Sequence, residues 1–183
     1  MPEPRVNIVG VGNLLMGDDG VGPAVVARLE SRGAPAGVCL YDAGLAFSDV
    51  LGMLEPADPL IVIDAVRAGG RPGEVHRLRL DVLNLDAAPV PAMVSLHELS
   101  VVPALRLEAL AGRVFSDVTV LGVEPGVVDW GQGLSPIVAG AVEGLVDDVL
   151  AHACALAPTF EPAFEPAAEA AGDLPGPGPH VSP

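Results

Sequence analysis

A chain of 183 residues, half of them apolar, can bury the core of one domain and is short for two. Its 24 acidic residues stand against nine basic ones, all arginine, and the net charge of −15 argues against nucleic acid and anionic membranes as partners. Aromatics at 3% argue against base-stacking platforms, and the two distant cysteines, Cys39 and Cys154, make neither a disulfide framework nor a cysteine-rich zinc site.

The first apolar run ends in glycines too soon for a signal peptide, and no apolar stretch is long enough to span a membrane. The expectation is a cytoplasmic, soluble protein, with a monomer as the default state. Residues 157–183 hold seven of the 19 prolines and four acids, and no arginine. Proline at that density supplies neither a ladder nor a helix interior, so this segment reads as a disordered acidic tail behind a single domain at 4–156.

Inside the domain, apolar runs alternate with helical patterns. Val6 to Val11 is a continuous apolar run suited to a strand buried on both faces. Val21 to Arg32 has helical spacing, Val38 to Tyr41 is a second strand, and Phe47 to Leu54 a short helix stopped near Pro56. Leu60 to Val66 is a third strand, apolar until Asp64. Glu74 to Leu80 alternates as an edge or antiparallel strand does. Residues 97–111 read as a helix, with Pro103 in its first turns or at a kink, and Asp117 to Val123 as a last strand. Ser135, as N-cap, opens a long helix to Leu156, with Pro136 at its first position. The alternation predicts a three-layer α/β sandwich: a twisted, mostly parallel sheet of about five strands with helices on both faces.

Ligands of such sheets bind beyond the carboxyl ends of the strands. The polar residues expected there are Asn13, Asp18 and Asp19 after the first strand, Asp42 after the second, Asp64 on the third, and Ser95 and His97 before the third helix. Gly10-Val-Gly12 resembles the start of a dinucleotide fingerprint, but its third glycine is replaced by Leu15, and two aspartates stand where a pyrophosphate would lie. Asp18 and Asp19 are equally consistent with helix capping, which stabilises by roughly 0.3–1 kcal/mol. Asp64 is harder to explain blandly, because burying an unpaired carboxylate costs several kcal/mol. It calls for a metal, an arginine such as Arg67, or a solvated cleft. Ser95 and His97 lie two apart, without a nucleophile elbow, and His97-Glu98 lacks the second histidine of a zincin. His76 is expected to face solvent; it, His152 and His180 take no role. Cys39 and Cys154 read as core rather than nucleophiles.

The run Gly10-Val-Gly12-Asn13-Leu14-Leu15-Met16-Gly17-Asp18-Asp19-Gly20-Val21-Gly22-Pro23 resembles the N-terminal signature of the nickel–iron hydrogenase maturation endopeptidases. Tyr41-Asp42-Ala43-Gly44, Val62-Ile63-Asp64-Ala65, Ser95-Leu96-His97-Glu98-Leu99 and Leu121-Gly122-Val123-Glu124-Pro125 are similar to later family blocks in order and spacing. The resemblance covers about residues 5–153. It implies an α/β sandwich and an endopeptidase that removes the C-terminal extension of the hydrogenase large-subunit precursor after nickel insertion. It also implies metal contact by Asp19, Asp64 and His97. The protein would then hold no cofactor at rest and touch the substrate's nickel transiently. Two carboxylates and an imidazole leave coordination positions open and bind a thiolate-held metal weakly enough to release it. Asp18 and Asp42 remain candidates for orienting water or for capping loops. The alternative readings are a non-proteolytic chaperone that binds metal or precursor on the same fold, and a nucleotide- or flavin-binding module.

Overall fold

The computed structural model describes residues 5–84, 94–95, 101–131 and 133–156. Three mostly apolar strands, buried on both faces, run through its centre. They are β1 (Val6–Val11), β3 (Leu60–Arg67) and β6 (Val118–Val123). With β2 (Val38–Gly44) and β4 (Val75–Leu80) they form a sheet in the order β2-β1-β3-β6-β4. All pairings are parallel except β4 with β6. The alternation of β4 matches its place at the edge, where only one face meets the core. A two-residue strand, β5 (Val94–Ser95), pairs antiparallel with the end of β3, setting Ser95 opposite Val66.

Successive strand residues point to opposite faces. Ile61 and Ile63 of β3 therefore pack with Ile8 and Leu121 under α1 (Val21–Arg32) and α4 (Pro136–Leu156). Leu60 and Val62 pack with Val9 and Val120 under α2 (Phe47–Met53) and α3 (Val101–Leu110). The expected three-layer sandwich is what forms. Ser135 caps α4 as expected, its hydroxyl accepting the Val138 N–H at 3.4 Å. Among the described residues α3 starts at Val101, so Pro103 sits in its first turn, where a missing N–H costs nothing. Arg113 ties the second face together, donating to the carbonyls of Leu51 and Leu54 at 3.0 and 2.7 Å.

Two details differ from expectation. Strand β2 continues to Gly44 and carries Asp42 inside it. His76 does not face solvent: its side chain is 24% exposed and its Nε2 lies 3.7 Å from Glu124. Cys39 and Cys154 form no disulfide and are half-buried rather than fully in the core. The proposed tail at 157–183 lies outside the described residues, and no described helix is long and apolar enough to cross a membrane.

Candidate active site

The chain leaves β1 through α1 to reach β2 on one side, then returns through α2 to β3 on the other. The switch point between β1 and β3 is where an open α/β sheet forms its ligand crevice. Both neighbouring strand ends carry an aspartate. Asp64 is the fifth residue of β3, 1% exposed, directly opposite Gly122 of β6. Asp19 lies in a 3-10 turn, Gly17–Gly20, between β1 and α1, and is 2% exposed.

Glycines bring this turn down onto the sheet. A Cβ at Gly22 would stand 2.3 Å from the Val11 carbonyl oxygen and 2.5 Å from that of Ile63, so α1 begins directly on the ends of β1 and β3. Gly12 has φ of +140°, and a Cβ there would lie 1.9 Å from the Asp19 carbonyl oxygen. The Asp19 carboxylate accepts the Asn13 N–H at 2.9 Å, which fixes it against the first loop.

The adjacent aspartates do different things. Asp18 is fully buried and its carboxylate accepts the backbone N–H groups of Gly126, Val127 and Ser135 at 2.8, 2.7 and 2.6 Å, with the Ser135 hydroxyl at 2.9 Å. Burial pushes its carboxyl up. The N–H groups of Val127, Ser135 and Gly126, with the Ser135 hydroxyl, stabilise the anion more, and the net shift is downward. Asp18 is therefore a latch between the first loop, the loop after β6 and the start of α4. Its hydrogen-bonding capacity is spent on that task. Asp42 is exposed, and its Oδ1 accepts the Gly44 N–H at 3.0 Å, a local turn closure.

Glu124, which took no role in the sequence reading, is a second buried latch. It is 6% exposed, and its Oε2 accepts the N–H groups of Ala68 and Gly70 at 2.7 and 3.1 Å. Burial raises its carboxyl. The Ala68 and Gly70 bonds, helped by His76 and Arg67, outweigh burial and bring it below the ordinary value. The signal available in the sequence was an acid directly after the apolar run of β6. Its partners, more than 50 residues away, were not visible there.

Of the three predicted metal-contacting residues, Asp19 and Asp64 are placed at the switch point, and His97 lies outside the described residues. Among the described residues no group of three His, Cys, Asp or Glu side chains is placed to hold a metal ion.

Solved proteins that share this frame include hydrogenase maturation endopeptidases. The solved Escherichia coli hydrogenase maturating endopeptidase HybD superposes with a TM-score of 0.68 at 32% identity, covering 81% of this chain and 91% of that one. Hydrogenase 2 maturation protease of Escherichia coli strain K12 is 32% identical over 145 residues, 76% of this chain and 84% of that protein. The hydrogenase expression/formation protein HupD of Rhodobacter capsulatus is 36% identical over 144 residues, 78% of this chain and 67% of that protein. The family model HycI, hydrogenase maturation protease, matches residues 23–152. The chain belongs to the hydrogenase maturation protease family and is a peptidase. The matched segment contains Asp64 and His97 and begins just after the loop that holds Asp18 and Asp19.

Proposed function

We propose that this peptidase removes the C-terminal extension of a nickel–iron hydrogenase large-subunit precursor once nickel is in place, and that Asp19, Asp64 and His97 read the substrate's nickel. The observation that carries the reading is the pair of buried aspartates at the switch point of the sheet, Asp19 in the turn that follows β1 and Asp64 within β3. Strand β5 supports the same reading, since it lays the segment leading to His97 alongside the end of β3. Carboxylates and one imidazole suit a metal that arrives bound to the precursor's own thiolates. They are hard or borderline donors, so the contact is weak and reversible. Asp19, Asp64 and His97 would contact the substrate's nickel, which would supply Lewis acidity toward an oxygen. The chain's own part is to hold the acids rigidly, through the Asn13 N–H on Asp19 and through the strand that carries Asp64.

Asp64→Asn and His97→Ala are expected to abolish processing of nickel-loaded precursor in a gel-shift assay while leaving the thermal midpoint of the protease intact. Normal processing by both would remove the metal-reading role. Binding of precursor without shortening, by the wild-type protein, would favour a chaperone.

A further inference from the structure

The rim of the candidate site is apolar where a pair of solvated loops would be polar. Leu14 and Leu15 in the first loop are 53% and 47% exposed, and Val127 and Trp130 in the loop after β6 are 56% and 78% exposed. The two loops run side by side. The Leu15 carbonyl accepts the Gly131 N–H at 3.0 Å, the Gly131 carbonyl accepts that of Gly17 at 3.2 Å, and the Val127 carbonyl accepts that of Asp18 at 2.9 Å. The Asp18 latch clamps the same two loops from beneath. Leu45, also exposed, follows Gly44, whose carbonyl holds the Gly12 N–H. Single exposed leucines are ordinary, but several large apolar side chains exposed on loops that are hydrogen-bonded side by side mark an interaction surface. The charges on this rim have one sign. Segments 10–20, 41–46 and 125–135 contain no arginine, and Asp42 and Asp129 are exposed.

We propose that this rim is the docking surface for the substrate polypeptide, and that it takes an apolar segment of the precursor bearing basic side chains, with Trp130 and Leu15 as anchors. The proposal rests on the reading that this chain cleaves such a precursor. A second copy of the chain would bring its own net charge of −15 against the acidic rim, and an anionic lipid surface would be repelled in the same way. A basic polypeptide meets complementary charge and apolar area together. Aromatic anchors in a rigid setting carry most of the energy of such contacts.

Trp130 is the one tryptophan of the chain, so its fluorescence reports on the rim directly. Adding nickel-loaded precursor is expected to shift its emission to the blue, read as the difference between wild type and Trp130→Phe. No shift overturns the proposal. A shift without cleavage leaves the docking surface standing and removes the peptidase reading for this precursor. In cleavage assays Trp130→Ser and Leu15→Ser are expected to raise KM about tenfold or more, with kcat within about twofold. Leu110→Ser, an exposed leucine on α3, serves as the control and leaves both unchanged. Unchanged KM in both rim variants, or an equal rise in the control, contradicts the assignment. The wild-type KM is expected to rise at about 1 M salt, where charges are screened beyond ~3 Å, and a KM that does not rise contradicts the basic character of the segment.

Discussion

Asp18 and Asp19 are chemically identical neighbours with opposite fates. One is bound by four donors from a distant loop, while the other accepts the Asn13 N–H at the crevice. Removing the Asp18 carboxylate strands three backbone N–H groups and a hydroxyl, and Asp18→Ala is expected to cost about 2–4 kcal/mol in chemical denaturation. A loss below about 0.5 kcal/mol, the size of an ordinary surface change, would mean the latch is idle. The pH signature has a definite sign. Because the folded carboxyl is held below its ordinary value of 3.8, the latch contributes fully above that pH, and its contribution is lost as pH falls through the folded value. The sequence offered loop capping as one role for Asp18, but not the partners that define it. Gly126 and Ser135 lie 108 and 117 residues from Asp18, and an acid near a helix start already has a sufficient local explanation in capping.

Elements were far more legible than side-chain roles. β1, β3 and β6 are buried on both faces, so their sequences are short, mostly apolar runs interrupted only by Asn7, Asp64 and Thr119 before the exposed Arg67 that ends β3, and their length and composition identify them as strands. The alternation in β4 reported an edge, but not that His76 would fold back against Glu124, because that depends on the loop which Glu124 gathers. The same limit hid His152 on α4, which bonds Thr119 of β6 at 3.0 Å and so joins the long helix to the sheet. Burial, then the nearby charge of Arg77, lowers this imidazole below its ordinary 6.5, with Asp117 opposing. Protonation therefore favours the unfolded chain. Stability is expected to fall as pH drops from 6.5 toward the folded value, and His152→Gln is expected to flatten that slope in thermal melts between about pH 8 and 5.5. An identical slope in the variant would assign the dependence to another group.

At the scale of the whole molecule, topology does the functional work. The order β2-β1-β3-β6-β4 puts one reversal of direction between β1 and β3, and both candidate aspartates flank it. Arg28 and Arg32 on α1 pair with Glu143 and Asp147 on α4, fastening the two helices of one layer. These pairs are exposed and screened by solvent, so they add little to stability. The buried latches of Asp18 and Glu124 hold the loops themselves. On the proposed reading, this acidic crevice is where the substrate's metal is inspected. The most direct test is the cleavage rate of one hydrogenase large-subunit precursor, followed by intact mass, with and without nickel. The account predicts that the wild-type chain shortens the nickel-loaded precursor and leaves the nickel-free form whole. Equal rates on both forms would contradict it.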